Sequence, residues 1–279
     1  MQNTEILSPR ILGAQYTEYY ETEKQDSPDA SISRMVNLLI PVITERLRSA
    51  QNVIILDVGS GRQILEQALF SDRRFKSFSS RVKIISMDIA SLTKKQLFEA
   101  NRVTHIQACG SSLPIANHTV DIAVSNLALD LMPQASFGEL KRVIKPDGSV
   151  VLTFHHPNLI EIAKMRLPLL LHNLRTVVQK LRHGKNSSKL GKYHENREII
   201  QRQLVDTQFI INSFANLIFQ SKNEIYHVLK QMFPEWRIKV EENFGEADEN
   251  GWFEVMLIGP EKKQQQSHPT ASSGDPAKY

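Results

Sequence analysis

A β-prone apolar run leads directly into two closely spaced glycines. The run is VIILDVGSGR over residues 53–62, with Asp57 near its end and Gly59 and Gly61 in the turn that follows. Glycines in such a turn let the backbone approach a ligand, and a following helix offers free amides and the positive end of its dipole. A second acid, Asp88, ends another β-prone run. These residues predict a binding site for a polar small molecule at the ends of two strands.

Two adjacent histidines, His155 and His156, follow a further β-prone run that ends at Phe154. An imidazole that titrates near neutral pH can remove a proton from a hydroxyl group, so either ring is a candidate general base. The alternative is structural, because a His-His-Pro sequence also suits a reversal of the chain.

The elements that must position these residues alternate between strand and helix patterns. Predicted strands cover residues 53–58, 82–87, 103–108, 120–125 and 149–154, and predicted helices cover residues 28–50, 62–69, 92–100 and 137–144. Such alternation favours a parallel, doubly wound sheet, in which ligands bind at the carboxyl ends of the strands. We therefore expect an α/β fold that gathers the residues above along one edge of the sheet.

The order of elements changes after Phe154. Residues 157–233 have helical patterns that are interrupted near Pro168 and at 183–191, and two further strands, 236–244 and 252–258, flank a polar turn region. The prediction is a doubly wound, Rossmann-like seven-stranded sheet with a terminal antiparallel hairpin and a helical insertion after the fifth strand. The predicted organisation is an N-terminal segment 1–27, a domain formed by 28–156 and 234–260, the insertion 157–233, and a disordered tail 261–279.

The spacing of Asp57, Gly59 and Gly61 differs from the dinucleotide-binding fingerprint, which needs a small residue at Ile64. It resembles motif I of the class I S-adenosylmethionine-dependent methyltransferases, within the small-molecule, type 11-like group. Further landmarks of that family follow in order: Asp88, LPI at 113–115, VDIAVSN at 120–126 and ELKRVIKPDG at 139–148. The closing hairpin is similar to the reversed seventh strand of these enzymes.

The resemblance implies S-adenosylmethionine as cofactor and methyl transfer by in-line displacement, with no metal and no protein nucleophile. The residues that it places at the cofactor are Asp57, Gly59, Gly61, Asp88, Cys109, Gly110, Ser111 and Asn126. Asp57 and the two glycines would hold the methionine end, Asp88 the ribose, and residues 109–113 the adenine. The tyrosines Tyr16, Tyr19 and Tyr20 lie in the stretch that folds over the cofactor in this family, and packing of the first helix is the alternative.

Two departures from the family pattern bear on activity. Gln63 stands where the family has a third glycine, so its side chain must point away from the ligand or tighten the pocket. Cys109-Gly110 replaces the usual Asp-Ala, so Ser111, Ser112 or backbone atoms would have to accept a hydrogen bond from the adenine amino group. These departures motivate an alternative function, a catalytically silent binding or assembly protein that keeps the methyltransferase fold.

Composition excludes several classes of protein. One cysteine excludes an intrachain disulfide and a multi-cysteine zinc site, and 41% hydrophobic residues can supply a large core. The first residues, MQNTEILSPR, lack the pattern of a secretory signal, so we expect a cytoplasmic protein, with a peripheral location at a membrane as the alternative.

The positive charge is concentrated in one segment. Residues 155–202 contain ten Lys or Arg and three Glu, against a net charge of +4 for the chain. We interpret this segment as a substrate lid with an apolar face toward a small or lipid-like acceptor and with solvated cations. Contact with an anionic membrane or an acidic carrier protein is the alternative. The interpretation of the chain as an RNA methyltransferase rests on the basic segment alone. Because the sequence has no recognisable RNA-binding module, we expect no nucleic-acid partner.

Overall fold

The computed structural model describes residues 10, 13–14, 16–17, 30–92, 98, 101–183, 194, 197, 200–201, 204, 219–243 and 252–260. The strands are β1 (Val53–Val58), β2 (Val82–Asp88), β3 (Val103–Gln107), β4 (Val120–Asn126), β5 (Ile144–His155), β6 (Arg237–Asn243) and β7 (Trp252–Ile258). They form one seven-stranded sheet in the order β3-β2-β1-β4-β5-β7-β6. The pairs among β1 to β5 are parallel, whereas β7 runs antiparallel to both β5 and β6. This topology confirms the predicted doubly wound sheet with a terminal hairpin.

Helices cover both faces of the sheet. They are α1 (Ala30–Ser49), α2 (Ile64–Ser71), α3 (Arg73–Lys76), α4 (Ala135–Val143), α5 (Asn158–His183) and α6 (Lys222–Met232). Apolar side chains of α1, α2 and α3, such as Met35, Leu69 and Phe75, form one core with the sheet. Those of α4 and α6, such as Leu140 and Leu229, form the other. Each buried face excludes water from one side of the parallel strands, which accounts for their nearly continuous apolar sequences.

Several predicted boundaries differ from the observed ones. Helix α2 begins at Ile64 rather than 62, because Gln63 adopts a left-handed conformation that ends the turn. Strand β5 begins at Ile144 rather than 149, because a register shift beside Val120 allows the Pro-Asp-Gly stretch to continue the strand. The predicted helix 92–100 falls almost entirely outside the described residues.

The predicted interruption near Pro168 is wrong, because α5 is continuous from Asn158 to His183. Proline removes one intrahelical hydrogen bond, but Pro168 is exposed, so water can satisfy the carbonyl group that is left without a donor. Among the described residues, the helices fall short of the length and hydrophobicity that crossing a membrane requires.

An ion network fixes the amino-terminal edge of the sheet. Asp121 on β4 is 1% exposed, lies 2.9 Å from an Arg46 nitrogen and 2.7 Å from Lys145 Nζ, and accepts a hydrogen bond from the Ile54 amide at 3.0 Å. Arg46 also binds Asp147 at 3.2 Å. Because Asp121 has two cations and an amide donor, its burial is compensated, and α1 is tied to β1, β4 and β5.

The register brings the polar ends of the central strands together. Asp57 of β1 pairs with Ser86 of β2, which pairs with His105 of β3. Side chains at paired positions share one face of a sheet, so these three lie in a row on the face that α2 covers. Asp88 ends β2 one pleat further along, at the edge where the glycine turn leaves β1.

Candidate functional site

The turn after β1 is shaped by two glycines in left-handed conformations. Gly59 has φ +78° and Gly61 has φ +50°. The amides of Gly59 and Ser60 both donate to the carbonyl of Met87, at 2.8 and 2.9 Å. A Cβ atom on Gly59 would collide with Ala128, so both conformation and space require glycine there. The turn is thereby held against the end of β2.

Asp88 links the end of β2 to this turn. Its Oδ2 accepts the Gly61 amide and its Oδ1 accepts the Ala90 amide, both at 2.8 Å. Burial raises the pKa of Asp88, and the two amide donors oppose that rise. Each carboxylate oxygen has a second lone pair, so Asp88 can also accept hydrogen bonds from a pair of ribose hydroxyls. The sequence prediction for this residue is compatible with its position.

Asp57 is buried and faces another acid. Its carboxyl group lies within hydrogen-bonding reach of Glu66 on α2, and both residues are almost inaccessible to water. Burial raises the pKa of Asp57 well above its usual value, and the charges of Glu66 and Asp88 raise it further. Burial also raises the pKa of Glu66, to about 7. Sequence reasoning missed Glu66, although a glutamate between Leu65 and Leu69 on a buried helical face was a visible signal.

Gln63 turns its side chain toward β2 and away from the turn. Its Nε2 donates to Ser86 Oγ at 2.7 Å, and its Oε1 accepts the Phe98 amide at 2.7 Å. The residue is 1% exposed, so its amide is part of the buried framework. Of the two expected outcomes, the observed contacts correspond to a side chain that points away from the ligand side.

The loop after β3 is anchored by α4. Glu139 Oε2 accepts the Leu113 amide at 2.8 Å, and Arg142 pairs with the same carboxylate at 2.7 Å. The hydrogen bond from Arg142, and then that from Leu113, lowers the pKa of Glu139 to about 2. Two of the sequence landmarks, LPI and ELKR, are therefore joined by a charge-assisted contact.

The residues predicted to meet adenine lie in this loop. Cys109 is half-buried and its Sγ lies 3.1 Å from Ser111 Oγ. Gly110 is buried, and a Cβ atom there would lie 2.5 Å from Met132 Sδ. Their assignment to adenine stays a prediction.

Asn126 uses its side chain within the protein. Its Nδ2 donates to Ser31 Oγ at 3.1 Å, and its Oδ1 accepts the Thr153 hydroxyl at 2.8 Å. These bonds join the start of α1 to the ends of β4 and β5. The predicted contact of Asn126 with the cofactor stays a prediction.

The two histidines after β5 have different surroundings. The Asp130 Oδ2 atom accepts the His155 amide at 2.7 Å and lies 3.0 Å from His155 Nδ1. The side chain of Asp130 is fully buried, whereas that of His155 is 16% exposed. The contact orients the ring, and a carboxylate oxygen at this position favours the tautomer that carries its proton on Nδ1. Sequence reasoning missed Asp130, an acid within the apolar stretch LALDLM.

His156 is engaged on both ring nitrogens. Its Nε2 lies 2.7 Å from Glu242 Oε1, and its Nδ1 accepts the Asn158 amide at 3.2 Å. The ring packs on Phe253 with centroids 5.0 Å apart. These contacts connect the start of α5 to β6 and β7, as expected for the structural alternative. Of the two candidates, His155 therefore has the geometry of a general base.

Part of the N-terminal segment lies over the same edge of the sheet. Thr17 Oγ1 accepts the Ser91 amide at 2.9 Å, just beyond the end of β2. Burial raises the pKa of Tyr16, and the negative charges of Asp88 and Asp130 raise it further. The raised pKa favours the neutral hydroxyl of Tyr16, which lies near enough to Asp88 and Asp130 to feel both charges. Tyr19 and Tyr20 lie outside the described residues.

Comparisons with known proteins find similarity to methyltransferases. Residues 56–152 match the family model described as a methyltransferase domain. An uncharacterized methyltransferase of Mycobacteroides abscessus is 26% identical over 138 residues, which are 47% of this chain and 52% of the relative. The chain thus matches about half the length of that curated relative.

Solved structures share the fold at low sequence identity. The plantazolicin methyltransferase BpumL, in complex with a monoazolic desmethylPZN analog and SAH, has a TM-score of 0.52 and 10% identity, covering 88% of this chain and 90% of that chain. The same enzyme with SAH has a TM-score of 0.51 and 9% identity over the same shares. The family match spans β1 to β5 and contains the glycine turn, Asp88 and the loop after β3. Residues 56–152 are thus similar to a methyltransferase domain, and the fold of the chain is the one found in solved methyltransferases.

Proposed function

We propose that this protein binds S-adenosylmethionine at the carboxyl edge of β1, β2 and β3 and methylates a small or lipid-like acceptor. The observation that carries the proposal is the bond from the Gly61 amide to Asp88, which fixes a left-handed glycine turn beside a buried acid. Solved complexes of BpumL contain SAH, the demethylated cofactor, which supports the same ligand class for this fold.

The residues present fit this cofactor. Asp88 retains acceptor capacity for ribose hydroxyls, and the Gly59 to Gly61 backbone has no side chains that would obstruct the methionine end. Gln63 is committed to Ser86 and the Phe98 amide, which weakens the motivation for a catalytically silent protein. When bound, the cofactor supplies a methyl group on a positively charged sulfur that is already activated for displacement.

His155 removes the proton that an oxygen or nitrogen acceptor loses as the new bond to carbon forms. Asp130 keeps a proton on Nδ1, so Nε2 is the nitrogen that takes up the acceptor's proton. Bound S-adenosylmethionine would supply the methyl carbon, with its sulfur as the leaving group, while the acceptor's proton would pass to His155. The protein contributes alignment, exclusion of water and one base.

Helix α5 provides the proposed cover for the acceptor. Leu167, Leu170, Leu174 and Val178 recur at helical spacing and are half-buried, whereas Arg175 is exposed. An apolar stripe of this kind suits the lid interpretation, with the cations in water. The two interpretations are separated by comparing Leu170→Ala/Leu174→Ala with Arg175→Glu. A lid predicts that the leucine variant loses more activity on a soluble acceptor.

Vesicle co-sedimentation supplies the second arm of that test. Under the lid interpretation the full chain binds neither anionic nor neutral vesicles appreciably at physiological salt. Strong sedimentation with anionic vesicles that is lost in the triple variant Arg175→Glu/Lys180→Glu/Arg182→Glu would contradict a lid alone and indicate a membrane-resident acceptor.

Activity is tested by incubating the full chain with methyl-labelled cofactor and a lysate metabolite fraction, followed by mass spectrometry. We expect a labelled small molecule whose formation falls about 100-fold in His155→Ala, as for loss of a general base. His227→Ala, at an exposed position on α6, is the matched control. Cofactor binding without any labelled product would support a silent binding protein, and label in RNA alone would support an RNA methyltransferase.

A further inference from the structure

A row of polar groups lies beneath the glycine turn, on a face of the sheet that is otherwise apolar. Asp57, Ser86 and His105 are paired in register on β1, β2 and β3, and Glu66 on α2 packs over the row. Glu66 is 1% exposed, and neither of its carboxyl oxygens has a hydrogen-bond donor of good geometry among the described residues. A buried carboxylate without donors would be very unfavourable, so its protonation state needs an explanation.

The nearby hydroxyl does not supply the missing donor. Ser86 Oγ donates its proton to Ser60 Oγ at 2.7 Å and accepts from Gln63 Nε2 at 2.7 Å. Besides Ser86 and the backbone amide of Glu66 itself, the group within hydrogen-bonding reach of the Glu66 carboxyl is the carboxyl of Asp57, which is 2% exposed. Two carboxyl groups can bond to each other only when at least one carries a proton. A hydrogen bond between Asp57 and Glu66 therefore requires that the pair holds at least one proton.

Other titratable groups that face the pair do not neutralise it. Asp88 adds a negative charge that raises the pKa of Asp57. Burial lowers the pKa of His105 on β3, which favours its neutral form although the charge of Asp88 opposes that effect, and burial raises the pKa of Tyr16, which favours its neutral hydroxyl. The buried face of α1 is apolar apart from Ser31. A positive charge that arrives beside Asp57 would thus meet a site rich in acids and poor in cations.

We propose that Asp57 and Glu66 form a proton-sharing pair that couples ligand binding at the glycine turn to pH. This rests on the proposed function, in which the methionine end of the cofactor, with its ammonium group, lies beside Asp57. The ammonium charge favours the ionised form of the pair, so binding releases a proton to solvent. Glu66 acts here as a positioning residue, because it sets the charge of Asp57 and does not itself touch the ligand.

Linkage gives the sign of the effect. The ligand-free pair binds protons more tightly than the ligand-bound pair, so affinity rises with pH until the ligand-free pair has lost its proton. The pKa of Glu66, about 7, centres that window between pH 6 and pH 8. Release of one proton corresponds to an affinity gain of up to about tenfold per pH unit.

The experiment is calorimetry of the full chain with S-adenosylhomocysteine, whose sulfur is uncharged, so that the ammonium is its only cation. Titrations at pH 6, 7 and 8, in two buffers of different ionisation enthalpy, measure both affinity and proton release. For the parent protein we expect proton release and a dissociation constant that falls about three- to tenfold from pH 6 to pH 7. In Glu66→Gln the amide donates to Asp57 without titrating, so the pH dependence shrinks to less than about twofold.

Two controls keep the result interpretable. Glu45→Gln makes the same chemical change at a side chain that is 70% exposed on α1, and it should retain the parent pH profile. Infrared spectra of the ligand-free protein at pH 7 should show the carbonyl band of a buried protonated carboxyl group that Glu66→Gln removes or shifts. Asp57→Asn should alter the same band, which provides a second variant if Glu66→Gln does not fold.

The outcomes separate this inference from the proposed function. Binding with the same affinity at pH 6 and pH 8, without proton release, would overturn the coupling and leave cofactor binding intact. Failure to bind at every pH would overturn both. A parent-like pH profile in Glu66→Gln would show that another group carries the proton and would overturn the assignment to this pair.

Discussion

Replacing Glu66 with glutamine should stabilise the protein at alkaline pH and have little effect at acidic pH. Burial raises the pKa of Glu66 from 4.5 to about 7 in the folded state. Between these values the folded protein holds a proton that the unfolded chain has released. Folding stability therefore falls as pH rises through this window, and the full penalty is present above about pH 7.

The size of the effect follows from that difference. A pKa raised from 4.5 to about 7 corresponds to a penalty on the order of 3 kcal/mol above pH 7. Glutamine keeps the shape of the side chain, cannot ionise, and can donate to Asp57. We therefore expect the stability of Glu66→Gln relative to the parent to rise by about 2.5 kcal/mol between pH 5 and pH 8.

Urea unfolding at pH 5 and pH 8 measures this difference directly. Comparing each variant with the parent at the same pH cancels the contributions of all other titrating groups. Glu45→Gln, on an exposed part of α1, should show no change in relative stability between the two pH values. If the stability difference between Glu66→Gln and the parent were equal at both pH values, Glu66 would not titrate in this window and the reasoning would be refuted.

Three further predictions concern the framework and the reaction. Gly59→Ala should lower the free energy of unfolding by about 2 kcal/mol or more, because φ is +78° and a Cβ would collide with Ala128. Gly138→Ala on α4 is the control and should raise that free energy by about 0.5 to 1 kcal/mol. Thermal unfolding of both variants measures the two changes. Asp121→Ala should lower the free energy of unfolding in urea by about 3 kcal/mol. A decrease of less than about 1 kcal/mol would contradict the role of its buried ion pairs. Asp130→Asn should lower methyl transfer about 10- to 100-fold with unchanged cofactor affinity, and equal loss of both would point to a structural role.

The strands could be predicted because their sequences are short, apolar and β-branched. Residues 53–58, 120–125 and 252–258 are nearly all buried, and turn residues bound each run. The start of β5 at Ile144 could not be predicted, because Pro146 and Gly148 usually end a strand and only the register shift against β4 accommodates them. The continuity of α5 through Pro168 was missed for the same reason, since tertiary context overrode a local breaker.

The site was predictable where backbone conformation requires a residue type. The left-handed turn needs glycine at Gly59 and Gly61, and an acid at the end of β2 is recognisable from its position. Glu66 and Asp130 were not found, because a lone acid in an apolar stretch acquires its role from partners distant in sequence. Their partners, Asp57 and His155, were identified, but sequence spacing does not reveal which pairs share a proton.

The central claim is tested most directly by titrating the full chain with S-adenosylmethionine in a calorimeter at pH 8. We expect a dissociation constant in the low micromolar range, on the order of −7 to −8 kcal/mol. Asp88→Ala should fold and bind about 1.5 to 3 kcal/mol more weakly, because a charged acceptor for the ribose hydroxyls is lost. Absence of binding by the folded parent protein at millimolar cofactor would contradict the proposed site.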